Sequence, residues 1–159
     1  MLAYAQGVYD TIKFVHALAA IAWLGGGIML QVQATRLARA NEPTKLAAFA
    51  KDIEFLGLRL MTPASVVVAL AAVALVLYSP QWGFADTWIL IGIGGYVATL
   101  ITGAGFLGPE SGRISKLVKT EGPESPEAQR RIRRIFMVSR VDLVVLVIVV
   151  ADMVFKPGA

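Results

Sequence analysis

The chain has 159 residues, 57% of them hydrophobic and 16% charged, with a net charge of +4 and a mean hydropathy of +0.67. Soluble domains run nearer half apolar and a quarter charged, so this composition excludes a disordered chain, a collagen and a coiled coil and argues against a soluble globular domain. The absence of cysteine removes disulfides, thiolate metal sites, iron–sulfur clusters and Cys nucleophiles, and the single histidine, His16, removes any one-chain site that needs two imidazoles.

A bilayer core about 30 Å thick is crossed by roughly 20 apolar residues of helix. Four stretches meet or approach that length, at about 11–32, 60–78, 88–107 and 135–155. In a bilayer, backbone groups must be satisfied within the segment, so each is read as a helix. The chain is therefore expected to be all-α: one domain over 1–159, a polytopic four-transmembrane-helix bundle with short interfacial helices on the cytoplasmic side. The first span has no basic stretch before it, so it reads as a retained helix rather than a signal peptide.

Within the first span, His16 lies about 7 Å below an interface placed at Thr11. Trp23, seven residues on, shares its face, and Gly25, Gly26 and Gly27 follow. A neutral imidazole in a span can ligate haem iron or copper, relay a proton, or simply hydrogen-bond a neighbouring helix. His16 is accordingly the candidate metal and cofactor ligand. Three methionines, Met29, Met61 and Met137, lie near the same ends of their spans, a soft-ligand pattern for Cu(I) and also ordinary apolar filler.

Glu42-Pro43-Thr44 reads as a helix start, and the stretch 45–58 is amphipathic, with Leu46, Phe49, Ile53 and Leu56 at helical spacing. It is expected to lie in the membrane interface and lead into the second span. The link 79–87 is short, so spans two and three are expected to form an antiparallel hairpin. Span three carries Gly95-x-x-x-Thr99-x-x-x-Gly103, a small-residue stripe that suits close helix packing or a flat cofactor. After a loop at 120–126, residues 127–134 restart a helix that leads into span four. Arg140 and Asp142 stand near one end of that span and need partners elsewhere, with Arg59 the candidate for Asp142; Asp152 stands near the other end. If spans one and four are neighbours, Asp152 is placed to hold the second ring nitrogen of His16, or to relay protons with it.

Thirteen of the fifteen Lys and Arg residues fall in two segments, 36–59 and 113–140; only Lys13 and Lys156 lie elsewhere. The positive-inside rule puts both segments in the cytoplasm and both termini outside, in a bacterial inner membrane. Tyr4, Tyr9, Tyr78, Trp82, Phe84 and Trp88 then form an outer aromatic belt. The basic segments suit anionic headgroups rather than nucleic acid.

The pattern Lys13-Phe14-Val15-His16…Trp23-Leu24-Gly25-Gly26-Gly27…Arg36, with Thr62-Pro63 and Gly108-Pro109, resembles a bacterial family of predicted integral membrane proteins, domain-of-unknown-function family 2269. Its first helix is also similar to that of copper-resistance protein D and of membrane-bound protoporphyrinogen oxidases. That likeness implies haem b, with His16 as ligand and Trp23, Gly26 and Gly27 shaping the wall beside it. The leading expectation is thus a small membrane protein holding haem b or another redox or metal ligand through His16. The alternatives are a proton-coupled transporter subunit using His16 and Asp152, or an accessory membrane subunit without a ligand. A homo-oligomer or a larger membrane complex is compatible with each.

Overall fold

The computed structural model describes residues 2–40 and 42–158, and their side chains except those of residues 2–5, 43, 50, 51 and 54. The expected Tyr4 and Lys51 side chains therefore lie outside the described set. The elements are α1 (Leu2–Arg39), α2 (Pro43–Leu56), a π turn (Gly57–Met61), α3 (Thr62–Tyr78), α4 (Thr87–Thr102), a second π turn (Gly103–Leu107), α5 (Gly108–Glu121) and α6 (Pro126–Phe155). No strand occurs among the described residues.

These elements make four long rods, because the backbone stays helical through both π turns: Leu56, Thr62, Thr102 and Gly108 all keep right-handed helical angles. The cause is in the sequence. Pro63 and Pro109 have no N–H to give to the carbonyl four residues back, and their rings crowd it. The helix widens by one residue instead. Thr62 N–H reaches back to Gly57 O and Gly108 N–H to Gly103 O, and the Thr62 hydroxyl adds a 3.0 Å bond to Gly57 O.

Each rod exceeds a bilayer. At 1.5 Å per residue, the 38 residues of α1 span about 57 Å against a hydrocarbon core of about 30 Å. Three helices are long and apolar enough to cross a membrane: 6–39, 57–78 and 87–121. The fourth rod, α6, is 30 residues long but carries Arg130, Arg131, Arg133, Arg134, Arg140, Asp142 and Asp152, and does not join that set.

Two expectations are corrected. The amphipathic stretch 45–58 does not leave its apolar face to the membrane interface. As α2 it runs coaxially into α3 and packs on α5, with its apolar face covered by protein. Spans two and three are joined by a short link yet do not pack as a hairpin: α3 runs along α1, α4 along α6, and α1 touches α6. The link 79–86 is held by its own bonds, from Gln81 and Trp82 N–H to Ser79 Oγ and from Gly83 N–H to Asp86 Oδ2. It separates α3 from α4 rather than closing them together.

At the basic end, α2, α5 and the ends of α1 and α6 enclose a dry core. Ala34, Leu46, Ala47, Ile114, Ile132, Ile135 and Phe136 are buried there, with Leu37, Phe49, Ile53 and Val118 packed around them. Phe49 stacks on Phe136 with centroids 6.4 Å apart. Ser125 caps α6, its Oγ accepting from Ala128 N–H at 3.2 Å. Above the core, Glu110 is only 2% exposed and accepts from Arg131 at 2.8 Å; Arg131 also holds Glu127 at 2.9 Å, and Glu127 holds Arg130. Between core and membrane half, α1 and α6 are clasped by polar groups. Gln31 donates to Phe136 O, and Arg140 donates to Gln31 Oε1 and Thr35 Oγ1. These are the partners of Arg140. Arg59 lies over the Phe55 ring instead of pairing with Asp142.

Candidate functional site

The other half of the molecule, toward both termini, is hollow. Because α3 and α4 stand apart, a cavity of about 510 Å³ opens between the α1–α3 pair and the α4–α6 pair. That volume falls within the range of small-molecule sites. Its walls are almost wholly apolar: Leu24, Ala72, Val76, Ile89 and Val149 among them. The polar groups that reach it are few: Tyr9, Lys13, His16, Tyr96, Lys156 and the indoles of Trp23, Trp82 and Trp88.

His16 is placed by α1, which points it across to α3. Its Nδ1 lies 3.1 Å from Val68 O. A carbonyl only accepts, so Nδ1 carries the hydrogen and Nε2 keeps its lone pair. The bond fixes tautomer and ring orientation together, the usual arrangement behind a ligating or proton-accepting imidazole. Trp23 stands two turns along the same face and meets Tyr96 edge-on, centroids 5.8 Å apart. The Tyr96 hydroxyl donates to Ser65 O at 3.3 Å, tying α4 to α3 at the closed end of the cavity. Met153 reaches the cavity from α6, its methyl lying where a Cβ on Gly92 would be.

Of the predicted site residues, His16 and Trp23 are brought together in this cavity. Gly26 and Gly27 are not. A Cβ on Gly26 would run into Met61 and one on Gly27 would press on Leu143 at 3.2 Å, so these glycines let α1 approach its neighbours away from the cavity. The stripe in α4 divides similarly. Gly92 and Gly95 admit Met153 and Val149 of α6, Thr99 is buried, and Gly103 faces open space.

Asp152 is 7% exposed, and neither carboxylate oxygen has a hydrogen-bond partner among the described residues. It does not hold His16: the Nδ1 partner is the Val68 carbonyl, and Asp152 lies beside Gly92, whose Cβ would be 3.7 Å from Asp152 Oδ2. The three methionines do not converge either. Met29 and Met137 are 62% and 64% exposed, whereas Met61 turns inward onto Gly26. No three His, Cys, Asp or Glu side chains among the described residues gather as a metal site.

Sequence reasoning missed three features. The Val68 carbonyl leaves no side-chain signal. The hollow depends on which rods pair. Lys156 is carried into place by a left-handed turn (φ 45°) at the end of α6, its N–H on Asp152 O, so that its ammonium sits 4.6 Å from the Trp82 ring and 5.3 Å from Trp88.

No curated protein and no solved structure matches the chain. A family description does, over residues 10–157, which include all of the helical rods except the first few residues of α1. With its long apolar rods and lipid-facing surface, the chain belongs to the family of predicted integral membrane proteins DUF2269.

Proposed function

We propose that this protein crosses a bacterial plasma membrane four times, with both termini outside and the basic core in the cytoplasm, and that its outer cavity is a haem b site in which His16 would hold the iron. Three crossings follow from length and hydropathy. The fourth, α6, is supported by its packing along α1 and α4 and by an uncharged run from Leu143 to Ala151. Arg140, which would otherwise weigh against burial, is bonded to Gln31 and Thr35 at the inner boundary. Thirteen of fifteen cations stand at the cytoplasmic end, where Arg59 and Arg134 lie over Phe55 and Phe106 within reach of anionic headgroups.

The observation that carries the ligand reading is the hydrogen bond from His16 Nδ1 to Val68 O, which leaves Nε2 bare on a large apolar cavity. The residues present fit the group. His16 offers a fixed imidazole nitrogen that would hold the iron, Met153 adds a thioether to the lining, and Trp23, Trp88 and Ile89 supply apolar walls. When bound, haem b supplies one-electron chemistry. The chain's own part is to orient the imidazole through Val68, to exclude water with the aliphatic walls, and to fix Trp23 through Tyr96.

The test is an absorption spectrum, oxidised and dithionite-reduced, of protein purified in detergent from haem-supplied cells. A Soret band and reduced α and β bands that vanish in His16→Ala are expected. A colourless, folded wild type overturns the reading, and transport assays of Asp152 variants then become the next step.

A further inference from the structure

The positive-inside pattern leaves only two side-chain cations, Lys13 and Lys156, at the end that carries the termini, and both line the cavity. Neither has a carboxylate within ion-pair distance among the described residues, whereas Glu110 and Glu127 at the opposite end are held by arginines. Lys13 stands one turn from His16 toward the mouth, about 4.5 Å along α1. Lys156 is not a free tether. Its backbone is locked by the left-handed turn, and its ammonium is held over Trp82 and Trp88, which meet edge-on at 5.4 Å. Two cations converge from α1 and from the end of α6 on the mouth of an apolar cavity, with no anion supplied by the described residues. A ligand that brings that anion gains charge-assisted bonds in a low-dielectric site.

From this arrangement we infer that the cavity takes an anionic amphiphile: an apolar body inside, a carboxylate or phosphate head at the mouth, with Lys13 and Lys156 as the head-binding residues and Trp82 and Trp88 as the platform that positions Lys156. This deepens the ligand reading above, on which it rests for the apolar body. It also fixes orientation. The head faces the termini, and entry is lateral between α3 and α4, where the rods do not pack. The chemistry is shared by a porphyrin bearing two propionates and by an acidic phospholipid.

The experiment uses the full chain in detergent with three probes: haemin, haemin dimethyl ester, whose carboxylates are masked, and phosphatidylglycerol followed by native mass spectrometry. Haemin is expected to bind more tightly than its ester. Lys13→Gln and Lys156→Gln each weaken haemin by roughly tenfold, leave the ester unchanged, and are rescued in part by Lys→Arg. Haemin and ester binding equally, with no response to either lysine variant, overturns the head-binding role while the haem reading survives. No porphyrin binding, with lysine-dependent retention of phosphatidylglycerol but not of phosphatidylcholine, overturns the haem reading while the head-binding role survives. Neither porphyrin binding nor lysine-dependent lipid retention overturns both. Both lysines are solvent-reachable, so unchanged thermal unfolding of the variants serves as the folding control.

Discussion

The two halves of this protein are built on opposite plans from the same four rods. The basic end is packed like a soluble domain, with Ile114 and Ile132 fully buried and an internal acid held by arginines. The membrane half has more apolar surface and less core. Phe14, Leu18, Ile21, Leu70 and Val147 point outward, and the middle is hollow. The difference follows from the solvent. In water, apolar faces must be buried against each other. In lipid no such force draws helices together, so close packing through small residues and a few polar bonds do it. Dense packing and open space are thereby assigned to different ends of the molecule.

Truncation in the core of the basic end gives the largest test of that division. Ile132→Ala, at a position with 0% exposure, is expected to destabilise the fold by about 2–5 kcal/mol, visible as a lower unfolding temperature in detergent. The equivalent change at the outward-facing Ile148 is expected to leave it nearly unmoved; equal losses at both would abolish the distinction. Next comes Glu110→Gln. Arg131 is about one-third exposed and keeps Glu127, so the loss is expected at about 1–2 kcal/mol rather than the full cost of breaking a wholly buried pair.

Within the membrane half, glycines replace core packing. Gly95→Val is expected to cost about 1–3 kcal/mol because Val149 already occupies the space, while Gly94→Ala, facing nothing within 4 Å, is expected to be neutral or slightly stabilising. A matched loss at Gly94 would show that α4 is tightly packed on both sides. Asp152→Asn makes a smaller change. It removes an acid whose oxygens have no hydrogen-bond partner among the described residues, so thermal stability is expected to hold or rise, and a clear fall would reveal a donor that reaches Asp152.

The smallest effect concerns pH. The Arg130 hydrogen bond, aided by Arg131, holds the Glu127 carboxyl below its ordinary value of 4.5. A depressed carboxyl contributes stability above its unfolded pKa and loses it as pH falls through the folded one. Glu127→Gln should therefore match wild type in acid and fall slightly below it at neutral pH, checked by unfolding temperature against pH at low salt. The group is exposed, so added salt should erase the gap.

Much of this division was legible in the sequence and part of it was not. Hydropathy placed the apolar rods, charge placed the basic end, and the His16–Trp23 spacing placed two residues of one cavity wall. The amphipathic stretch 45–58 was legible as a face but not as to what covers it, because headgroups and a neighbouring helix select the same spacing of Leu46, Phe49 and Ile53. The hollow was not legible, since a short link such as 79–86 brings chain ends together without requiring the rods beyond them to pack. Glu110 was equally silent: an acid in a polar stretch looks solvated until its fold partner, Arg131, is known.

The two π turns set how these halves are phased. Each adds one residue to a rod, which rotates everything beyond it by about 100° about the helix axis. In α4–α5 that extra residue is what lets Gly95 face α6 in the membrane half while Ile114 still faces the core of the basic end. Deleting Ala104, which lies inside the turn, would take out the extra residue, leave Pro109 to strain the shortened helix, and swing Ile114 out of its core without touching any residue of that core. The turns thus work as clutches, letting the apolar stripe of one half be set independently of the stripe in the other.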